Sequence, residues 1–259
     1  MDGSRVRIDR SGVVATLTLD RAERRNALSL ELMTELTAAL RDVGADPGTH
    51  AVVIAAEGPA FSAGHDMAEM VGREHAFYEK LFDVCTVMMK AIHEIPQPVV
   101  AKVQGVATAA GCQLVAACDL VVASADAVFA TPGVKIGLFC STPMVPISRA
   151  VGRKRAMQML LTGEPIDAAT AQSWGLVNEV VPAEDLDGAV DDLVARITQF
   201  SPVTIGIGKK AFYSQIDMTE SAAYDHTREV MATNAAIADA QEGISAFLEK
   251  RTPKWSERD

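Results

Sequence analysis

Hydrophobic positions change period repeatedly along the first two thirds of the chain, from short apolar runs to helical spacing and back. Val13 to Leu19 is small, β-branched and apolar and predicts a strand. Ser29 then stands as an N-cap ahead of Leu32, Leu36, Leu40 and Val43, whose spacing predicts a helix that Gly44 and Pro47 stop. Ala51 to Ala56 predicts a buried strand, followed by the loop Phe61-Ser62-Ala63-Gly64-His65-Asp66 and a helix opening over Asp66 to Met70. Pro98 to Val103 repeats the unit, followed by Ala107-Thr108-Ala109-Ala110-Gly111-Cys112-Gln113 and an apolar helix reaching Cys118. Asp119 to Ala123 and Ala127 to Ala130 read as further short strands.

Such alternation predicts an α/β fold with a largely parallel sheet. From about residue 150 the pattern turns helical, with a break at Gly163-Glu164-Pro165 and a short strand over Leu176 to Val181. Beyond Ser201-Pro202 helical spacing runs to the end. We expect a core over residues 1–200 and a helical region over 201–259, with no low-complexity linker between them.

At 259 residues and 49% hydrophobic, the chain has ample apolar material for a large core. Its formal charge of −10, without a dense Lys/Arg block, disfavours nucleic acid and anionic membranes as partners. An anionic ligand would then need a local basic pocket. The uncharged stretch from Val103 to Cys118 is polar-interrupted and short for a bilayer span. Cys85, Cys112, Cys118 and Cys140 form no CxxC pair and read as reduced core thiols, and five scattered histidines suggest no metal. Met1-Asp2-Gly3-Ser4-Arg5 lacks the apolar core of a signal peptide, and Asp2 and Asp9 argue against an acid-poor transit sequence. The expected location is therefore cytoplasmic.

Each glycine loop follows a strand-like run and precedes a helix-like one, so each leaves backbone N–H groups free to point at one polarised oxygen. The loops do not stand alone. Together with Glu23-Arg24-Arg25-Asn26-Ala27-Leu28-Ser29, Leu161-Thr162-Gly163, Ala171 with Trp174-Gly175-Leu176-Val177, and the segment Glu242 to Arg251, they resemble the enoyl-CoA hydratase/isomerase (crotonase) superfamily over nearly the whole chain. The resemblance implies a crotonase-like spiral of ββα units and a helical C-terminal region that packs subunits into trimers or dimers of trimers. It also implies an acyl-CoA thioester as substrate or ligand, with no other cofactor.

Carried over by position, the oxyanion donors would be the backbone N–H groups of His65 and Ala110. Contacts to the acyl group and to CoA would come from Arg24, Ala27, Ala63 and Asp66, from Cys140 and Ser141, and from Phe247 and Lys250. The two catalytic glutamates of the family's hydratases fall here on Gln113 and Gly133. An amide can hold a water but cannot take its proton near neutral pH, and glycine has no side chain. Positioned acid–base groups typically contribute ~10²–10⁴-fold, so ordinary hydration is expected to be slow. Ser62 to Asp66, Ala107 to Ala116, Phe129 to Val134 and Gly137 to Pro143 resemble a subgroup of hydratase-domain-containing proteins that share this departure.

Other residues offer chemistry, each with a plainer alternative. A neutral His65 would serve as a base oriented by Asp66, yet Asp66 and Glu69 have capping-box spacing, and His65 would equally face solvent or line the CoA channel. Cys140 reads either as a thioester nucleophile or as a small hydrophobe. Arg24, Arg25, Lys250 and Arg251 would meet CoA phosphates or simply be solvated. Phe77, Phe82, Met88, Met89 and Met144 line an acyl tunnel or belong to the core. The function expected is an enolate-stabilising acyl-CoA enzyme, nominally a hydratase, with isomerisation, decarboxylation and thioester hydrolysis open. The alternative is an acyl-CoA-binding protein without turnover.

Overall fold

The computed structural model describes residues 4–256. Val6–Ser11 (β1) and Val14–Leu19 (β2) form an antiparallel hairpin that turns through Gly12 in the left-handed region. The hydrophobic pattern missed β1 because Arg7, Asp9 and Arg10 leave it little apolar periodicity. Ser29 caps α1 (Leu30–Ala45) by accepting from the Leu32 N–H, and Leu32, Leu36, Leu40 and Val43 are buried as their spacing predicts.

The chain then winds through three similar turns. β3 (Ala51–Ala56), β4 (Ala60–Ser62), α2 (Met67–Met70) and α3 (His75–Glu94) make the first. β5 (Val99–Val103), β6 (Val106–Thr108) and α4 (Ala110–Ala117) make the second. β7 (Leu120–Ser124) and β8 (Val128–Ala130) begin the third, with α5 (Met144–Val151) and α6 (Arg153–Thr162) after them. β9 (Ile166–Asp167), α7 (Ala168–Trp174), β10 (Glu179–Val181) and α8 (Leu186–Thr198) close the core, and α9 (Pro202–Gln215), α10 (Glu220–Ala236) and α11 (Ala238–Glu249) follow. This is the ββα spiral that the resemblance implied. The expected strand over Leu176 to Val181 is shorter, since only Glu179–Val181 pairs with β7 while Leu176 and Val177 fill the core after the left-handed Gly175.

One strand of each turn goes to each sheet. The larger sheet runs β1-β2-β3-β5-β7-β10 and is parallel from β2 onward. The smaller runs β4-β6-β8-β9, with β4, β6 and β8 parallel. Along β3, Val52 and Ile54 join the main core, while Ala51 and Val53 pack with Leu186, Val190 and Val194 of α8 on the opposite face. Covering both faces explains why β3 reads as a continuous apolar run.

Candidate active site

Three segments singled out in the sequence follow the C-terminal ends of three adjacent parallel strands. Ala63-Gly64-His65 follows β4, Ala109-Ala110 follows β6, and Thr131-Pro132-Gly133 follows β8. The small sheet therefore brings both glycine loops and position 133 to one edge. Gly64 has φ +88°, and a Cβ there would lie 2.9 Å from Ala109 Cβ and 3.2 Å from Ala110 N. Thr108 Oγ1 donates to the Ala63 carbonyl at 3.1 Å and ties the loops a second time. Gly111 packs so tightly on Ser62 that an added Cβ would collide with its carbonyl oxygen.

The direction of the donors follows from these contacts. Leu28 N–H donates to the Gly64 carbonyl at 2.8 Å, which turns the His65 N–H of the same peptide away from Leu28. Ala110 begins α4, where N–H groups have no partner within the helix. Neither the His65 nor the Ala110 N–H has an acceptor among the described residues. Ala109, just before, holds φ 50° and ψ −118°, a strained conformation for a residue with a side chain.

The first loop is seated on residues 25–28. Asn26 is fully buried, its amide donating to the Glu57 and Ala60 carbonyls at 2.8 Å each and its Oδ1 accepting from the Arg21 N–H. Arg21 was not anticipated. Its guanidinium pairs with Asp66 at 2.8 Å and donates to the Ala27 carbonyl at 3.2 Å. Asp66 also caps α2 through the Ala68 N–H, so it does not orient His65. The capping box is only half formed, because the Glu69 carboxylate accepts from Leu30 N–H instead.

His65 places its ring edge-on to Phe82 of α3, with centroids 5.5 Å apart. Burial lowers its pKa from the usual 6.5, opposed in part by the nearby Leu28 backbone carbonyl, and neither ring nitrogen makes a well-formed hydrogen bond among the described residues. Phe82 begins a stripe on α3 at helical spacing. The next turn carries Cys85, whose Sγ lies 4.0 Å from Gln113 Oε1, followed by Met89 and His93. Gln113, Met89, His93, Phe212 and Tyr213 line a largely apolar cavity of about 490 Å³. Of the expected tunnel residues, Phe82 and Met89 lie on this stripe, Met88 is core, Phe77 sits under the Arg73 guanidinium, and Met144 is partly exposed.

Gly133 is closed to any side chain. An added Cβ would stand 2.7 Å from the Leu138 carbonyl oxygen and 2.9 Å from Cys140 Sγ. The return of residues 137–140 through the left-handed Gly137 fills that space. Cys140 is buried, and burial raises its thiol pKa, which favours the small-hydrophobe reading over the nucleophile. All four cysteines are buried and free. Ser141 is exposed.

The basic candidates divide. Arg24 and Arg25 are exposed beside the first loop's seat. Arg251 does not offer a free guanidinium, being forked onto Glu242 at 2.5 and 2.8 Å with Glu249 at 2.7 Å. Lys250 caps α11 in the left-handed region, and Phe247 on the same helix is 82% exposed. α11 packs on α9 and α10, so within one chain the structure does not bring Phe247 and Lys250 to the glycine loops.

Comparison with known proteins agrees with this architecture. The profile of the enoyl-CoA hydratase/isomerase family matches residues 9–258. Enoyl-CoA hydratase domain-containing protein 3, mitochondrial, of Rattus norvegicus is 43% identical over 244 residues, covering 94% of this chain and 81% of the relative. The crystal structure of its human counterpart superposes with a TM-score of 0.94 at 41% identity, covering 97% of this chain and all (100%) of that one. That of an enoyl-CoA hydratase from Mycobacterium smegmatis gives 0.95 at 47%, covering 97% and 98%. The cytoplasmic expectation is overturned by the relatives at 43% identity, the vertebrate enoyl-CoA hydratase domain-containing proteins 3, which are mitochondrial. That expectation rested on a few N-terminal residues, of which Met1, Asp2 and Gly3 lie outside the described residues, and such residues say nothing of the folded body.

Proposed function

The chain belongs to the enoyl-CoA hydratase/isomerase family, and from that premise we propose that it binds acyl-CoA thioesters and stabilises an enolate on the backbone N–H groups of His65 and Ala110. The observation that carries the reading is the contact of Gly64 with Ala109 and Ala110, which sets two unpaired donors side by side. Each donor of this kind typically contributes ~10²–10³ in rate when charge develops on the bound oxygen. The acyl chain follows the α3 stripe past Gln113 into the apolar cavity. Asp66, Ala27 and Ala63 build the loop that carries one donor, and Arg24 meets a CoA phosphate.

Efficient hydration is not the activity, because Gln113 supplies no base and the space at Gly133 is occupied. Reactions that need only an enolate fit better. The C-terminal helices assemble the chain into a homotrimer or a dimer of trimers, which would cover the exposed Phe247 and Leu248 and bring Lys250 to a neighbouring site.

Mass spectrometry of saturated, enoyl, β-hydroxy and malonyl-type CoA thioesters after incubation with the protein tests this reading. Isomerised product or lost CO₂ supports it, and fast, complete addition of water to an enoyl thioester would overturn the exclusion of hydration. Binding of every thioester with change in none would leave a CoA-binding protein in its place.

A further inference from the structure

Both ring nitrogens of His65 are closed off from solvent; the Leu28 backbone carbonyl approaches the ring, but neither nitrogen makes a well-formed hydrogen bond among the described residues. Buried polar side chains are nearly always hydrogen-bonded, so an exception calls for a water, a ligand or a chemical role. Position decides among these. The backbone N–H of the same residue is one of the two free donors, and the ring rests on Phe82, where the α3 stripe toward Gln113 and the cavity begins. The imidazole thus stands beside the oxyanion donors, at the Phe82 end of the α3 stripe. Asp66 is held by Arg21 and Ala68, so no carboxylate partner favours the charged ring, and burial keeps it neutral.

Resting on the acyl-CoA reading above, we propose that the His65 imidazole is the proton-transfer group of this site and acts as a single neutral base on the α-carbon of the bound thioester. A ring nitrogen takes the α-proton, and the C–H electron pair moves into the bond between the α-carbon and the carbonyl carbon. The enolate oxygen is held by the N–H groups of His65 and Ala110. The imidazolium, after its N–H exchanges with solvent, returns a proton to the α-carbon, or to the γ-carbon of a β,γ-unsaturated acyl group, which shifts the double bond. Atoms balance without a co-reactant. Hydration would need a second group to activate water, which Gln113 and Gly133 do not supply.

The test follows incorporation of deuterium into the α-position of butyryl-CoA in D₂O by mass spectrometry, beside equilibrium binding of the same thioester. The parent exchanges, at a rate that rises with pH through a pKa below 6.5 and is level above it. His65→Ala and His65→Gln keep thioester binding, because any residue there retains the backbone donor, and lose roughly 10²-fold or more of the exchange together with its inflection. Should the smaller substitution fail to fold, the glutamine variant alone carries the test. Undiminished exchange in a folded variant, or a parent that binds the thioester and exchanges nothing, overturns the assignment of His65 while leaving the binding reading intact. A parent that binds no thioester brings down the acyl-CoA reading and this assignment together.

Discussion

Lys209 Nζ stands 2.6 Å from Asp119 Oδ2, and only 6% and 14% of the two side chains are exposed. The pair joins α9 to the residue before β7. Lys209 also donates to the Ile92 and Gln97 carbonyls at 2.7 Å each, and Asp119 accepts from the Val99 N–H and the Tyr213 hydroxyl. Tyr213 in turn stacks on His93 at 3.8 Å, in the wall of the cavity. α9 buries fully only Pro202 and Gly206, so this polar knot, more than apolar burial, sets where the cavity wall stands.

Lys209→Met would leave Asp119 buried without its cation. Breaking one partner of a buried pair typically costs ~3–5 kcal/mol. The expected result is a lower urea midpoint and weaker acyl-CoA binding, with Lys209→Met/Asp119→Asn costing less than the sum of the single changes. An unchanged midpoint would mean that α9 is held by other contacts.

Gly64→Ala would meet two obstacles at once. Its φ of +88° disfavours any side chain, and the new Cβ would press on Ala109 Cβ and the Thr108 carbonyl at 2.9 Å. We expect a loss of about 1–3 kcal/mol of stability and a sharp fall in thioester affinity as the two donors separate. Calorimetric binding and denaturation on the same sample check both, and retained affinity would refute the pairing of the donors.

What could be read from the sequence was local. β3 showed as an apolar run, and the Ser29 cap stood beside the period it starts. β4 and β6 were hidden in the glycine loops, because three residues are too few to show a period. The missing carboxylates were visible at Gln113 and Gly133, but not the Leu138 carbonyl and Cys140 that occupy the second position, since a return through Gly137 places them there. The capping role of Asp66 was legible in its spacing to Glu69, whereas Arg21, which removes it from His65, packs against it from a separate segment. The stripe from Phe82 to His93 has helical spacing in the sequence, but the period alone does not tell cavity from core.

Acid should destabilise the chain through two histidines. His65 and His93 have pKa values below 6.5, chiefly because burial penalises the charged ring. Below 6.5 the unfolded chain therefore binds more protons than the folded one, so their contribution is intact above 6.5 and is lost as pH falls toward the folded values. Glu242, held at about 2 by Arg251, acts in a separate window below 4.5. Urea midpoints for the parent and for His93→Gln, taken between about pH 5 and pH 8, check the effect. The parent's midpoint should fall toward the acid end and the variant's should fall less, while parallel profiles would remove His93 from the account.

Restoring carboxylates should not be symmetrical at the two vacant positions. Gln113 is 4% exposed and already projects a side chain of glutamate's size beside Cys85 and the cavity, so Gln113→Glu introduces a carboxyl group without new volume. Burial would raise its pKa and keep part of it protonated near neutral pH, which suits a group that exchanges protons with substrate and water. Its expected effect is a gain in hydration of an enoyl thioester of up to ~10²-fold, the lower end for one positioned acid–base group. Gly133→Glu must instead displace the Leu138 carbonyl, which is backbone, and costs about 1–3 kcal/mol with no gain in rate. Loss of the enoyl absorbance gives the rates, and thermal denaturation gives the stability. A gain from Gly133→Glu equal to that from Gln113→Glu would mean that residues 137–140 yield readily, and the exclusion of hydration would then rest on the missing carboxylates alone.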